Sequence, residues 1–393
     1  MHIRLLTTAD ISQAKQLANY AFNEKDFANW FFDQYVQPQQ LVGSFAEADQ
    51  LKCMLCLSPY KLQMFGTELD TDYITTVTTA ADVRGKGYFK PLLKYTFEHM
   101  RKLGKSVAIL KAIESKLYSP FGFAFCYSHL RYTMPITELE YFAKAADITL
   151  LSIPEFEQHI SSMQQLYAAL VLNKYHAASA RTIQNWRNLL TVHTAEGGHI
   201  MLAFRGNIPV GYMLYYVRNN YFEVFELLAT DAAVQAHFLN TAYQHRTQAK
   251  SFFWRTFADN TAYLAMNISQ YNDSFYPQLA PFMMARVVDA RRLLAQMVTT
   301  AAASVRIKIT DEFLEFNNCT LQLVAKDGQL SVQDTVAPAD ITIDITTLAQ
   351  LVFGAYSISE LLFADKIVQH NAHCIAELNK LFSKKTNYIN EEF

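Results

Sequence analysis

The spacing of apolar residues near the start of the chain alternates between a period of two, typical of strands, and a period near 3.6, typical of helices. The run Thr7-Thr8-Ala9-Asp10 can cap a helix, because its short polar side chains accept hydrogen bonds from the first-turn N–H groups. The predicted elements are a strand at 2–6, helices at 11–21 and 27–36, strands at 51–57, 60–65 and 73–79, a helix at 88–103, a strand at 106–112 and a helical turn at 114–118. This order predicts a mixed α/β domain with one crossover helix.

From about residue 146 the same order of elements starts again. The predicted elements are helices at 153–174 and 181–190, strands at 199–204, 210–217 and 221–228, and a helix at 232–246. The first copy has the Gly-rich loop Arg84-Gly85-Lys86-Gly87 after its third hairpin strand, whereas the second copy has Thr230-Asp231-Ala232-Ala233. The pattern predicts a duplicated α/β fold whose second copy is degenerate and lacks the loop.

Beyond about residue 287 the pattern changes once more, to short strands with few helices. The predicted elements are a helix at 290–298, strands at 305–310, 314–316, 320–325, 330–333 and 341–345, and helices at 346–353 and 357–363. Such a series is typical of an α+β domain. We therefore expect three domains, at 1–145, 146–286 and 287–393.

The composition argues against several classes of protein. Of the 393 residues, 51% are hydrophobic and 18% are charged, so long disordered stretches are not expected. The net charge of −2 argues against a dedicated nucleic-acid binder. Apolar runs long enough to span a membrane and an N-terminal signal segment are both absent from the sequence. We expect a cytoplasmic protein with neither a membrane nor a nucleic-acid partner.

The five cysteines form an odd and sparse set that does not predict a disulfide framework. Cys53 and Cys56 have the spacing of half a zinc site, but they lie in an apolar, strand-like run. Side chains three positions apart on a strand point to opposite faces, so we interpret both as core cysteines. The sequence has no His-Glu-x-x-His motif and no histidine pair that would complete a site, and no metal is predicted.

The strongest chemical signal is a β-branched strand that leads through a basic, Gly-rich loop into a helix. The run is Val77-Thr78-Thr79-Ala80-Ala81-Asp82-Val83-Arg84-Gly85-Lys86-Gly87-Tyr88-Phe89. The N–H groups of such a loop converge on one point, the helix start adds about half a positive charge, and glycine permits close approach of an anion. The loop is a candidate pyrophosphate cradle, with a plain turn as the alternative. It matches neither the Walker nor the Rossmann pattern.

A second signal is Tyr118, which closes a helical turn and precedes Ser119-Pro120-Phe121-Gly122-Phe123. A tyrosine in this place can direct its hydroxyl group into a cleft. Tyrosine is frequent in the chain, with 22 copies, so an ordinary core position is the alternative. The spacing between Tyr118 and the Gly-rich loop favours the functional interpretation.

Together, Arg-x-x-Gly in the loop and Tyr-x-x-x-Gly-Phe downstream resemble the motifs of the GNAT superfamily of acyl-CoA N-acyltransferases. One departure is Phe89, where the superfamily usually has Gly or Ala. Over essentially all 393 residues the chain resembles the Eis (enhanced intracellular survival) acetyltransferase family, which has a GNAT domain, a degenerate GNAT-like repeat and a sterol-carrier-protein-like domain. The tail 387–393 resembles the C-terminus that folds back in this family. The resemblance implies an acetyl-CoA-dependent N-acetyltransferase that acts on aminoglycoside-like, polyamine or peptide amines and assembles as a homohexamer.

The resemblance also assigns roles to individual residues. Tyr118 would be the general acid, the α-carboxylate of Phe393 would be the base, and Glu24 and Glu392 would hold the substrate ammonium group. The residues that would bind acetyl-CoA are Val77, Thr78 and Thr79 along the strand edge, Arg84, Gly85, Lys86, Gly87, Tyr88, Phe89 and Lys90 around the pyrophosphate, and Ile113 and Glu114 on the other wall. Solvated surface positions are the alternative for both Glu24 and Glu392.

Ordinary pKa values constrain the mechanism. An amine and an α-carboxyl group differ by about 7 units, or roughly 9 kcal/mol, so the carboxylate needs partial burial or a relayed water to act as the base. We expect direct transfer, because proximity supplies most of the rate and Cys126, the nearest thiol, has no orienting histidine. The competing hypothesis is a protein that binds a lipid or another apolar ligand in its third domain and has a vestigial acyltransferase domain.

Overall fold

The computed structural model describes residues 1–23, 25–266, 277–299 and 301–391, apart from the side chains of residues 25–27. Within this range the chain forms two compact units. The first unit contains residues 1–126 and 283–384, and the second unit contains residues 127–282 and 385–391. The domains expected at 1–145, 146–286 and 287–393 divide the chain differently and stay a prediction.

The mixed α/β and α+β fold class expected from the sequence is confirmed. The strands of the described residues are β1 (His2–Leu5), β2 (Leu41–Phe45), β3 (Leu51–Met64), β4 (Thr67–Thr79), β5 (Val107–Leu110), β6 (Ala124–Phe125), β7 (Ser128–Pro135), β8 (Thr149–Ser152), β9 (Ala178–Ser179), β10 (His199–Arg205), β11 (Ile208–Arg218), β12 (Tyr221–Ala229), β13 (Ser251–Phe257), β14 (Gln278–Pro281), β15 (Met284–Val287), β16 (Ala303–Thr310), β17 (Cys319–Lys326), β18 (Gln329–Asp334), β19 (Ile341–Asp344) and β20 (Ile367–Gln369).

The α-helices of the same residues are α1 (Ile11–Phe22), α2 (Lys25–Trp30), α3 (Phe89–Lys102), α4 (Ile160–Tyr167), α5 (Ile183–Ala195), α6 (Ala232–Gln244), α7 (Ala290–Ala295), α8 (Ile345–Val352), α9 (Ile358–Phe363) and α10 (Cys374–Leu381). Two of them, α2 and α4, continue as π-helices at Phe31–Tyr35 and Ala168–Leu172. Across the part of the chain that the structure describes, no helix is both long and apolar enough to cross a membrane.

The larger sheet of the first unit has the order β1-β2-β3-β4-β5-β15-β6. β4 and β5 run parallel, and the other neighbours in this order are antiparallel. β15 comes from the second stretch of the unit and lies between β5 and β6, so a strand from far along the chain completes the sheet. The sequence analysis did not predict β2 or β15, because both are buried along their whole length and have no apolar–polar alternation.

The smaller sheet of the first unit has the order β18-β17-β16-β19-β20 and packs with α8, α9 and α10. It contains the expected short strands, with one exception. The strand expected at 314–316 is wrong, because Glu315–Asn317 forms a 3₁₀ turn. Just before this turn, the Oδ1 of Asp311 accepts hydrogen bonds from the N–H groups of Phe313 and Leu314 at 3.1 and 3.0 Å, so the chain already bends here.

The main sheet of the second unit has the order β14-β7-β13-β12-β11-β10-β8. Its two faces are covered by separate apolar clusters, one with α6 and the other with α4 and α5. Successive residues of β11, Tyr212 and Met213, belong to different clusters, as the alternation of a strand requires. The sequence analysis found the central hairpin of this sheet but not β7 or β13.

A buried group of charges and hydroxyls holds residues 385–391 in the second unit. The Arg181 side chain is 1% exposed and donates two hydrogen bonds to Glu226, at 2.7 and 2.8 Å, and one to Glu391 at 2.6 Å. The Tyr388 hydroxyl donates to Glu226 at 3.1 Å. Loss of one partner in such a buried pair costs about 3–5 kcal/mol, so the tail is firmly anchored up to Glu391.

We expect acid to destabilise the second unit through His193. Burial lowers the pKa of this histidine from 6.5 to about 4, and its Nε2 lies 3.0 Å from the carbonyl oxygen of His199. The unfolded chain binds the proton near pH 6.5 and the folded unit only near pH 4. The stability from this group is therefore complete above pH 6.5 and falls, by about 3 kcal/mol, as the pH drops to 4.

Urea unfolding followed by tryptophan fluorescence between pH 7 and pH 4 measures this effect, since Trp186 and Trp254 both lie in the second unit. The matched variant is His193→Gln, whose amide can still donate to the carbonyl of His199. The variant should lose most of the pH dependence. An unchanged slope in the variant would exclude His193 as its source.

Candidate functional site

The parallel pairing between β4 and β5 is short. Their parallel pairing consists of Asp72 with Ala108 and Tyr73 with Ile109, so residues 74–79 lie beyond it. The β3–β4 register also shifts here, and Thr76 has a φ of 51°, which marks a β-bulge. Bulges bend a strand locally, and this one lies just before the predicted strand edge Val77–Thr79, where β4 pairs with β3 and the β5 pairing has already ended.

The Gly-rich loop joins β4 to α3. Gly85 and Gly87 have φ values of 73° and 81°, a conformation that side-chain-bearing residues rarely adopt. An ideal Cβ at either glycine would have no atom within 4 Å, so both positions face open space. The α3 helix starts directly afterwards, at Phe89. This geometry fits an anion that approaches the backbone in front of a helix N-terminus.

The charges around the loop have the sign that an anion requires. Arg84, Lys86 and Lys90 are exposed, and the first turn of α3 contains no acidic residue. Cations near a helix N-terminus are unfavourable for the helix itself, and an anion bound at the loop would offset that cost. Arg84 is oriented by a hydrogen bond from its Nε to the carbonyl oxygen of Thr79 at 3.2 Å.

Tyr118 lies between two 3₁₀ turns, Ser115–Leu117 and Ser119–Phe121. Its ring makes edge-to-face contacts with Phe89, at 6.1 Å between centroids, and with Phe123 at 6.0 Å. Burial raises the pKa of the Tyr118 hydroxyl above 10, with a smaller contribution from the thiol of Cys53. The tyrosine is therefore protonated at neutral pH and can donate a hydrogen bond.

Phe89 follows the loop as the first residue of α3 and contacts Tyr118, so it connects the two signals found in the sequence. The superfamily pattern has a small residue at this position, and the structure uses the larger ring to pack against Tyr118 and, at 5.4 Å, against Phe121. On the other side, the Sγ of Cys53 lies 3.1 Å from the Oγ1 of Thr79. The loop, the end of β4 and Tyr118 thus belong to one site.

For the remaining predicted site residues, the structure shows no hydrogen bond to the loop or to Tyr118 among the described residues. Ile113 is 90% exposed, and Glu114 is exposed and caps the 3₁₀ turn before Tyr118 by accepting a hydrogen bond from the N–H of Lys116 at 3.4 Å. Both lie between the end of β5 and Tyr118. Glu24, Glu392 and Phe393 lie outside the described residues.

The cysteines of this part of the chain are not activated as nucleophiles. Burial raises the pKa of Cys53 to about 11 and that of Cys56 to about 12, and it also raises the pKa of Cys126. A thiol with a raised pKa is almost entirely protonated at neutral pH. Within the described ranges, no group of three or more His, Cys, Asp or Glu side chains is placed to hold a metal ion.

The sequence analysis missed the residues that support the Tyr118 loop from the second stretch of the first unit. A cavity of about 230 Å³ separates part of the loop from this stretch, and its lining includes Ser119, Gly122, Asp311, Phe313 and Asp344. These lining residues are separated by up to about 225 positions in the sequence. A local motif search cannot detect such a distant contact.

Comparisons with known proteins match three parts of the chain. Residues 2–126 and 177–287 match two family models described as acetyltransferase (GNAT) domains, and residues 285–390 match a sterol carrier protein domain. A curated relative, an uncharacterized N-acetyltransferase of Streptomyces coelicolor, is 20% identical over 328 residues, which are 79% of this chain and 78% of the relative. The expected second GNAT copy and sterol-carrier-protein-like part are confirmed.

Solved structures with the same fold cover the whole chain. A GCN5-related N-acetyltransferase from Anabaena variabilis has a TM-score of 0.85 at 15% identity, with 100% of both chains covered. A probable N-acyltransferase from Enterococcus faecalis has 0.87 at 16%, covering 100% of this chain and 99% of that one. Eis1 from Mycobacterium abscessus has 0.80 at 18%, with 100% of both covered. At these identities the likeness establishes the fold.

We expect the Tyr118 hydroxyl to ionise at a higher pH than a free tyrosine. A titration of tyrosinate absorbance in the wild type and in Tyr118→Phe isolates this residue as the difference between two curves. Because burial raises the pKa of Tyr118, the difference should appear above pH 10. A difference step below pH 10 would contradict the buried position of the hydroxyl.

Proposed function

Because the chain belongs to the Eis-like GNAT acetyltransferases, with two GNAT domains followed by a sterol-carrier-protein-like domain, we propose that it transfers an acetyl group from acetyl-CoA directly to a primary amine. Acyl transfer is the activity of the family, and the proposal concerns the donor, the acceptor and the path of the group. The observation that carries it is the open, positive-φ backbone of Gly85 and Gly87 at the start of α3 beside Tyr118.

The proposed donor site lies along the end of β4, beyond its short pairing with β5. The loop from Arg84 to Lys90 holds the pyrophosphate, and its backbone N–H groups and three basic side chains supply the complementary charge. The backbone of Val77–Thr79 binds the pantetheine arm, which is polar at its amides and needs strand-like partners. Ile113 and Glu114 form the opposite wall.

In the proposed reaction the amine nitrogen attacks the thioester carbon, the C–S bond breaks, and the acetyl group becomes an amide. Tyr118 donates a hydrogen bond to the departing thiolate. An ordinary thiol has a pKa about 1.5 units below that of tyrosine, so full proton transfer costs roughly 2 kcal/mol or more and takes place late. The amine proton goes to the α-carboxylate of Phe393, directly or through a water.

The proposed acceptor is a small-molecule or peptide amine, whose ammonium group is held by Glu24 and Glu392. The proposal also includes a homohexamer, which the family resemblance implies, and a cytoplasmic location, which is expected from the sequence. Partner molecules other than the amine, such as nucleic acid or membranes, are not part of it.

The alternative of a lipid-binding protein is less well supported. The apolar residues of strands β16 and β17 motivated the lipid-binding hypothesis. Their side chains fill the core of their own domain, since Val305 is 1% exposed and Ile307, Leu321 and Leu323 are 0% exposed. The ring contact between Phe89 and Tyr118 and the open surroundings of Gly85 and Gly87 also favour a working site over a vestigial one.

The test of the proposal is release of the CoA thiol from acetyl-CoA in the presence of aminoglycosides, polyamines and peptides. We expect release that depends on one class of amine, and a fall in kcat of about 10²–10³-fold in Tyr118→Phe with little change in KM. Deletion of Phe393 should lower kcat in the same way. Thiol release that is independent of any amine, or full activity of both variants, would contradict the proposal.

We expect Gly87→Ala to weaken donor binding. The substitution strains a residue with a φ of 81° and places a methyl group where the anion approaches, so KM for acetyl-CoA should rise about tenfold while kcat stays within about twofold. The matched control is Gly197→Ala, which has a φ of 81° and equally open surroundings but lies in the second unit. Equal effects of the two variants on KM would exclude a specific role for the loop.

A further inference from the structure

Arg286 lies in a buried contact between the two stretches of the first unit. Its side chain, on β15, is 0% exposed and donates to Asp311 Oδ2 at 2.6 Å and to the carbonyl oxygen of Val287 at 2.9 Å. Burial lowers the pKa of Arg286, and Asp311 offsets part of that effect. A buried ion pair is weak evidence for a gain in stability, because removing both charges from water is costly. The Arg286–Asp311 pair matters here because it fixes the relative position of the two side chains.

The loop after Tyr118 packs directly on this guanidinium group. An ideal Cβ at Gly122 would lie 2.7 Å from Cζ and 2.8 Å from Nε of Arg286, closer than any real contact. Gly122 also has a φ of 85°, which disfavours any other residue. The backbone at Gly122, four residues after the candidate general acid Tyr118, therefore lies against the guanidinium group of Arg286.

The carboxylate of Asp311 also fixes Phe313, because it accepts a hydrogen bond from the N–H of that residue at 3.1 Å. The Phe313 ring contacts Phe121 at 5.0 Å between centroids, Phe121 contacts Phe89 at 5.4 Å, and Phe89 contacts Tyr118 at 6.1 Å. All three contacts are edge-to-face, with angles between the ring planes of 66° for Phe313–Phe121, 81° for Phe121–Phe89 and 85° for Phe89–Tyr118. Aromatic contacts of this kind fix the relative orientation of the rings.

We propose that Phe313, held in place by Arg286 and Asp311, is a positioning residue for Tyr118. The sterol-carrier-protein-like part of the chain thus keeps the acyltransferase tyrosine aligned, a role in catalysis that requires no ligand of its own. This inference rests on the proposed function of Tyr118. The expected effect is sizeable, because a misplacement of about 1 Å in an active site costs about a hundredfold in rate.

The test is Phe313→Leu, which removes the ring and keeps an apolar side chain. We expect kcat to fall about tenfold, with KM for acetyl-CoA within about twofold of the wild type. The matched control is Phe316→Leu, three residues further along the chain. The guanidinium group of Arg101 lies 4.2 Å from the centre of the Phe316 ring, and this variant should leave kcat unchanged. Phe121→Leu, at a half-buried position, should reproduce the loss if Phe313→Leu folds poorly.

The same variants in a Tyr118→Phe background separate positioning from general damage. If Phe313 acts through the Tyr118 hydroxyl, its replacement should cost less than about twofold in that background. An equal tenfold loss in both backgrounds would overturn the inference.

A spectroscopic measurement keeps the inference testable even if Tyr118 has no part in the reaction, in which case Tyr118→Phe keeps full activity. With 3-fluorotyrosine at position 118 of the full chain, we expect the fluorine resonance to shift in Phe313→Leu and to stay in place in Phe316→Leu. An unchanged resonance in Phe313→Leu would overturn the inference, whatever the activity shows.

Discussion

The early end of the pairing between β4 and β5 is the constraint on which the site depends. A parallel pair normally continues as long as both strands are extended, but this one contains only two residue pairs before the bulge at Thr76. The backbone beyond that point needs other partners, because buried N–H and C=O groups are seldom left unpaired. Beyond the β5 pairing, β4 is hydrogen-bonded to β3, and its other edge is where we propose that the amide-containing arm of the donor binds. The loop at Gly85 and Gly87 then places an anion site at the same end of β4.

Buried arginine–carboxylate pairs hold distant segments in both units. In the first unit, Arg286 and Asp311 connect the sterol-carrier-protein-like part to the loop that contains Gly122. In the second unit, Arg181 connects the sheet to the tail through Glu226 and Glu391. Hydrophobic contacts alone tolerate small shifts, whereas a guanidinium group with a fixed fork of donors does not. Each pair therefore fixes position more than it adds stability.

The site was predictable from the sequence as far as its signals are local. The strand end, the loop of basic residues and glycines, and the helix start lie within thirteen residues. Tyr118 precedes the recognisable pair Gly122-Phe123. Arg286 and Phe313 carry no such signal, because their importance depends on a contact with a loop more than 160 positions away in the sequence. The turn at Glu315–Asn317 was predicted as a strand because three apolar or aromatic-flanked residues carry no local sign of the Asp311 side-chain bonds to Phe313 and Leu314 that precede it. Fully buried strands such as β2 lack the alternation that identifies a strand.

The position of β15 in the larger sheet has a consequence for the order of synthesis. About 160 residues separate β6 from β15, and at roughly 5–20 residues per second the ribosome needs roughly ten to thirty seconds to add them. During that interval β5 has an unpaired edge, which is a template for pairing with other chains. The larger sheet of the first unit therefore stays incomplete until β15, at residues 284–287, has been synthesised. Chaperones that protect strand edges have their longest opportunity to act on this nascent chain during that interval.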